Sequence, residues 1–286
     1  MIWTPQKGAI LYEHNFGNVG ATTLGTSVTT GASASTKTSP ATQLIAATAF
    51  DSYLMIITAA AYGAAATTAR GCLDIMVGAA TEEVLIANLL MGFCGDIAVT
   101  NSGPKVWQFP LYVPAGTRIA AAVAGDRTST AMRIGIQLYG GAGYPPWRVG
   151  QRVVTYGIGT VPAATSVTPG ASAAEGTWTQ IVASSTEDHF AIVPSAQGPT
   201  GDTTLTASGV WMDIGIGAAT EEVVAGSGRE QSYVFSLNGG EIIAGPFNPM
   251  PCYADIPSGT RLAARLSRSS AADTVANWEV ALHGVS

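Results

Sequence analysis

Two pairs of adjacent glutamates are the first residues whose type and spacing suit chemistry. They are Glu82 with Glu83 and Glu221 with Glu222, each inside the heptapeptide GAATEEV. Two carboxylates together can act as a general acid and a general base, or as oxygen ligands for calcium. Neighbouring residues of a β-strand point to opposite faces, so one pair does not converge easily on one substrate. The pattern therefore favours a charged hairpin tip over a catalytic or calcium-binding site.

A structural role for the glutamates is the sharper hypothesis. The segments VPAGTR and IPSGTR end in Arg118 and Arg261. Arginine binds carboxylates with directional paired hydrogen bonds, so one glutamate of each copy is expected to bind the arginine of that copy or another nearby cation. Pro114 and Pro257 are expected at the second position of a reverse turn, of type I or with a following bulge, that closes a tight hairpin.

The histidines and cysteines suggest no metal site and no nucleophile. Their spacing does not match that of zinc ligands, and an odd number of cysteines does not suit a closed set of disulfides. No nucleophile elbow, phosphate loop or zinc-protease motif is present. We therefore expect no catalytic residue, no metal and no cofactor, with the cysteines as buried apolar side chains. The residues concerned are His14, His189, His283, Cys72, Cys94 and Cys252.

Tryptophans raise the alternative of glycan binding, because sugars stack on exposed aromatic faces. Trp211 and Trp278 lie in the middle of predicted strands and are expected in the core. Trp147, beside two prolines, and Trp178 are the expected glycan contacts.

The whole chain carries a tandem repeat. GAATEEV starts at residue 78 and again at residue 217, and 217 minus 78 is 139. TSVTTGASAS at Thr26 returns as TSVTPGASAA at Thr165 with the same offset, and VPAGTRIAA returns as IPSGTRLAA at an offset of 143. A repeat of this length matches one independent domain, so the chain is predicted to contain two homologous domains.

The predicted domains are residues 25–142 and 151–286, with a proline-rich linker at 143–150. Residues 1–24 have no clear counterpart in the repeat. They are predicted to form an arm that packs on its own domain or clasps a neighbour, with the first arrangement favoured.

Alternating apolar residues and Gly/Pro punctuation predict seven or eight short strands in each copy. The predicted fold is all-β, with two tandem β-sandwiches of jelly-roll type. Residues 52–69 are uncharged and long enough for a membrane span, but their counterpart contains acids and prolines, so a buried strand and a loop are expected instead. The predicted strands are 42–48, 52–60, 70–78, 83–90, 105–113, 117–124 and 131–139, then 178–184, 188–194, 209–217, 232–237, 240–247, 252–256, 260–267 and 276–284.

Composition narrows the partners. The 286 residues are 47% hydrophobic and 11% charged, with a net charge of -6, so general disorder is not expected. The 13 basic residues are scattered, which argues against a nucleic-acid partner. The start of the chain lacks the pattern of a secretory signal, so synthesis in a cytoplasm is expected.

Several repeated segments resemble virion structural proteins of tailed bacteriophages. They are DIMVGAATEEVLIANLL, FPLYVPAGTRIAAAV and IGIQLYGG, which return as DIGIGAATEEVV, IPSGTRLAARL and WEVALHGV. The resemblance runs roughly from Gly25 to the C-terminus and includes head decoration, spike and tail fibre components. It implies a non-enzymatic virion protein, made in the host cytoplasm, that assembles with capsid or tail subunits.

A decoration, cement or connector subunit is the first expectation from this resemblance. A homo-oligomer is expected with it, and a trimer is the favoured state. The alternative is a head spike or tail fibre module that binds host surface polysaccharide. A glycan-degrading enzyme ranks third, because it would need two acids about 5 to 10 Å apart in a groove. No membrane partner is expected.

Overall fold

The structure is a computed structural model in which every regular element of the described ranges is a β-strand. No helix in those ranges has the length and hydropathy of a membrane span. The described residues are 10–15, 25–62, 68–78, 82–91, 93–94, 105–126, 128, 131–142, 148–171, 174–198, 208–219, 223–224, 233–237, 251–268 and 277–286.

Residues 11–140, the first half, form two antiparallel sheets. The strands are β1 (Leu11–His14), β2 (Thr26–Thr29), β3 (Thr42–Ile45), β4 (Ser52–Tyr62), β5 (Thr68–Ala69), β6 (Gly71–Val77), β7 (Glu83–Leu90), β8 (Phe93–Cys94), β9 (Lys105–Phe109), β10 (Ile119–Gly125) and β11 (Ala131–Gly140). Sheet I has the order β1-β11-β4-β9, and β2 also pairs with β11. Sheet II has the order β3-β10-β6-β7, and β5 pairs with β8 in a separate ribbon.

Residues 153–285, the second half, repeat this order. The strands are β12 (Val153–Tyr156), β13 (Thr165–Val167), β14 (Thr179–Val182), β15 (His189–Gln197), β16 (Ser208–Ile216), β17 (Val223–Val224), β18 (Tyr233–Leu237), β19 (Cys252–Ile256), β20 (Leu262–Arg268) and β21 (Trp278–Val285). Sheet III has the order β12-β21-β15-β19, and β13 also pairs with β21. Sheet IV has the order β14-β20-β16-β17, and β18 also pairs with β16. The alternation of strands between two sheets is that of a jelly roll.

The predicted all-β sandwich fold is confirmed, whereas the division into two domains stays a prediction. Most predicted strands fall on observed ones, and the predicted strand at 240–247 lies outside the described residues. The strands that were not predicted are β1, β2, β5, β8, β12, β13 and β17, and each has four residues or fewer, which is too short to display alternation. β1 pairs with β11 as β12 pairs with β21. Residues 11–14 of the predicted arm therefore have a counterpart in the repeat.

Apolar residues on the inward faces of the sheets fill the interior of each half. Met55 and Ile57 of β4, both 0% exposed, lie within residues 52–69, the uncharged stretch that is long enough for a membrane span. Trp107 and Trp278 are each 1% exposed and are among the largest buried side chains. Cys72 and Cys252 are buried and form no disulfide with each other. Period-two alternation is what places these side chains inside.

The turn after β9 differs from the prediction. The Thr117 amide donates to the Pro114 carbonyl at 3.3 Å, so proline occupies the first position of the turn. Gly116 occupies the third position with a φ of 79°, as a type II turn requires, and Gly259 has a φ of 87° in the second half. The turn leads from sheet I to sheet II, so the predicted hairpin is wrong. Local residue types mark the turn but do not determine which sheet the next strand joins.

Thr48→Val should lower the free energy of unfolding by about 1–2 kcal/mol. The Thr48 hydroxyl donates to the Pro114 carbonyl at 2.6 Å and accepts from the Thr117 amide at 3.0 Å, and valine keeps the shape without these bonds. Urea titration would measure the loss. Thr36→Val, at an exposed loop position, is the control and should change stability by less than about 0.5 kcal/mol. Equal losses in the two variants would contradict a fastening role for Thr48.

Candidate functional site

Arg118 lies beside sheet II, next to Gly78 and Glu82 of the first GAATEEV segment. Its guanidinium forms an ion pair with Glu82, donates to the Gly78 carbonyl at 3.3 Å and donates to Gln43 Oε1 at 3.2 Å. The structure thus brings together Arg118 and one of the two glutamates singled out in the first copy. Glu83, the other one, is exposed at the start of β7.

Arg261 occupies the corresponding place in the second half. Its Nε donates to Gln180 Oε1 at 3.1 Å, and its carbonyl accepts from the Gly217 amide at 3.2 Å. Glu221 and Glu222 lie outside the described residues. The arginine–glutamine contact is therefore common to both halves, and the matching sequence positions of Gln43 and Gln180 could have indicated it.

Of the two predicted glycan contacts, Trp147 and Trp178, the structure describes only Trp178. Trp178 is half-buried, and its ring covers Gly215, where an added Cβ would lie 2.8 Å from a ring carbon. The Arg265 guanidinium is 4.5 Å from the centroid of that ring. Arg265 also pairs with Asp213 at 2.9 Å, so the ring belongs to a packed cluster on the outer face of sheet IV.

Trp211 is on the same outer face and is 37% exposed. The prediction that it lies in the core is wrong, whereas Trp278 is buried as expected. Val210 and Met212, both 0% exposed, take the inward positions on either side, so alternation turns Trp211 outward.

The two halves meet across a row of small and apolar side chains. Ala124, Cys72 and Leu90 lie opposite one another on β10, β6 and β7. This row on the outer face of sheet II packs against Ala281 of β21, in sheet III. All four side chains are 0% exposed. We call this contact between sheet II and sheet III the junction.

A chain of hydrogen bonds crosses the junction through His283. Ser195 Oγ lies 2.8 Å from His283 Nε2, and Thr155 Oγ1 lies 3.0 Å from His283 Nδ1. The Leu90 amide donates to Ser195 Oγ at 3.2 Å, and Thr155 donates to the Ala87 carbonyl at 2.7 Å. Because the Thr155 proton points to Ala87, His283 Nδ1 carries the proton that Thr155 accepts. The Ser195 hydroxyl then donates to His283 Nε2.

The hydrogen-bond chain ends on both sides at backbone groups of β7, the edge strand of sheet II. Edge strands present backbone groups that have no neighbouring strand to pair with. The register of β7 against β6 shifts near Asn88, which has a φ of 51° and donates its amide to Asp74 at 2.7 Å. Side chains of the second half thus satisfy an irregular edge of the first.

The Ser195–His283 pair resembles a nucleophile with its base only in residue type. Both side chains are 0% exposed, and the imidazole is oriented by a threonine instead of a carboxylate. Burial lowers the pKa of His283 to about 3, so the ring is neutral at ordinary pH. The geometry therefore suits a structural connection.

A second polar group of the junction centres on Gln197, which is 0% exposed. Its Oε1 accepts from the Gly71 amide at 3.0 Å, and its Nε2 donates to the Pro162 carbonyl and to Glu279 Oε2, both at 2.7 Å. Glu279 also pairs with Arg70 at 2.9 Å. Every polar atom of the Gln197 side chain thus has a partner, which is what a buried amide requires.

Ser195, Gln197 and the role of His283 were not predicted from the sequence. One signal could have indicated two of them, because Ser195 and Gln197 interrupt the apolar run HFAIVPSAQ of β15. Within the described ranges, no group of three or more His, Cys, Asp or Glu side chains could hold a metal ion.

No protein-family model matches the chain, and no curated protein matches it. Among solved structures it is similar to one entitled "Structure of PNGF-II in P21 space group", with 9% sequence identity and a TM-score of 0.35. The match covers 91% of this chain and 65% of that chain. A likeness at this TM-score carries no argument about function.

Proposed function

We propose that the chain is a structural subunit of a tailed-phage particle. It assembles on the head or the tail as a decoration, cement or connector protein, and it carries out no reaction. The observation that carries the proposal is the junction, where His283, Ser195 and Gln197 all serve to fasten one half to the other.

The hydrogen bonds of the junction suit a structural role. Buried hydrogen bonds with complete partners hold packed elements in one arrangement, because breaking one leaves an unsatisfied polar group. The bonds join sheet II to side chains of sheet III. The Tyr112 amide also donates to the carbonyl of Gly150, in the segment that precedes β12, at 2.8 Å. A subunit that keeps its halves at a fixed angle presents its outer faces to neighbours in a constant geometry.

The proposal also draws on the resemblance of the repeated segments to virion proteins. Its partners are other capsid or tail subunits and further copies of the same chain. Its location is the virion, after synthesis in the host cytoplasm.

Mass spectrometry of purified particles, followed by cryo-electron microscopy with an antibody fragment against the chain, tests this proposal. We expect a fixed number of copies on the head or along the tail. A phage protein of known location, probed in the same way, is the control. Absence of the chain from particles would overturn the proposal, and location only at a host-contacting fibre tip would favour the polysaccharide-binding alternative.

A further inference from the structure

The junction joins two faces that both occur a second time in the chain. The repeat places Trp211 at the position of Cys72 and Ser267 at the position of Ala124, and these two lie opposite each other on β16 and β20. The outer face of sheet IV is therefore the counterpart of the sheet II face that is buried at the junction. Within the described residues it is open at Trp211, which is 37% exposed.

The outer face of sheet I is likewise the counterpart of the buried face of sheet III. Tyr12 pairs with Tyr139 as Thr155 pairs with His283. Tyr12 is 47% exposed, and its ring centroid lies 5.0 Å from that of Tyr139 and 5.2 Å from that of His14. Within the part of the chain that the structure describes, one face of each kind is thus buried at the junction, and the other of each kind is exposed at Trp211 or at Tyr12.

We propose that copies of this chain bind head to tail, with the sheet IV face of one copy on the sheet I face of the next. Trp211 then takes the place that Cys72 has in the junction, against Gln137, which is the counterpart of Ala281 and lies beside Tyr139. The contact repeats between molecules the pairing of faces that the junction makes within one molecule. The biological role of this contact rests on the proposed function. The pairing of the two faces rests on the repeat alone.

A second copy fits these faces better than an unrelated partner, because the homologous faces of sheets II and III pack on each other within the chain. The side chains have also changed in the direction that intermolecular contacts favour. Aromatic residues are enriched at protein interfaces, and Trp211 stands where the junction has Cys72, as Tyr12 stands where it has Thr155. Since the two faces differ, the contact is heterologous and builds a ring or an open filament.

The full chain with Trp211→Arg, with Tyr12→Arg or unchanged should be compared by sedimentation velocity and light scattering up to about 100 μM, which detects weak association. We expect the unchanged chain to associate, and each variant to associate at least tenfold more weakly. Val84→Arg is the matched control, since Val84 is 49% exposed on sheet II, away from both faces. It should associate like the unchanged chain.

Mixing the two variants gives the sharper result. Trp211→Arg keeps an intact sheet I face and Tyr12→Arg keeps an intact sheet IV face, so an equal mixture should form a one-to-one dimer. The dimer also proves that both variants are folded. A monomeric unchanged chain, variants that associate normally, or a mixture without a dimer would each overturn the proposal. Loss of polysaccharide binding in Trp211→Arg without a change in mass would do the same and assign the face to a glycan. Absence of the chain from virions would refute the proposed function while leaving this result intact.

Discussion

Gln197→Glu should lower the free energy of unfolding by about 3–5 kcal/mol at neutral pH. The substitution keeps the shape of the side chain but replaces the nitrogen that donates to Pro162 and Glu279, both at 2.7 Å, with an oxygen that accepts. The new buried carboxylate would then face the Glu279 carboxylate and the Pro162 carbonyl, and none of the three groups could donate a hydrogen bond. Separation of the two charges requires opening the junction.

Urea titration of the folded chain, followed by tryptophan fluorescence, measures this loss. Gln180→Glu is the matched control, because it makes the same chemical change at an exposed position beside Arg261. It should alter stability by less than about 0.5 kcal/mol, since exposed ion pairs contribute little. Similar losses in the two variants would contradict the role assigned to Gln197.

Acidification should weaken the fold through His283. Burial lowers its pKa from 6.5 to about 3. The contribution of His283 is therefore fully present above pH 6.5 and is lost as the pH falls towards 3, because the unfolded chain binds a proton that the folded chain does not. The slope from this group is about 1.4 kcal/mol per pH unit, with an upper limit of about 5 kcal/mol over the window.

The test compares how the free energy of unfolding changes with pH in the unchanged chain and in His283→Gln. Burial also lowers the pKa of His189, which stays in both proteins, so both lose stability on acidification. The unchanged chain should lose about 1.4 kcal/mol more per pH unit below pH 6 than the variant. Parallel slopes would show that His283 binds its proton as readily in the folded as in the unfolded chain, and would contradict the burial effect assigned to it.

The sequence predicted the strands well because alternation is a local property that each strand carries within itself. The wrong predictions concern which face of a strand is buried and which sheet the strand joins. Trp211 follows the same alternation as its neighbours, but the pattern does not say which phase faces inward when Val210 and Trp211 are both apolar. The turn at Pro114 was recognised from its residues, yet the sheet that receives the next strand depends on distant pairing.

The junction was hidden for the same reason. Ser195 and His283 lie 88 residues apart, and the groups at both ends of their chain are backbone atoms of β7. Backbone groups leave no trace in the residue types. The Arg118–Glu82 pair was accessible because arginine and glutamate both display their charge in the sequence.

Ala87 and Leu90 serve the hydrogen-bond chain with a carbonyl and an amide that almost any residue would supply. A substitution at Ala87 therefore leaves its bond to Thr155 in place, and at Leu90 only the packing of the side chain is constrained, whereas Ser195, His283 and Thr155 have to be retained as a set. Among relatives, we expect one side of the connection to be fixed and the other to drift, so the duplicated copies would have diverged at unequal rates.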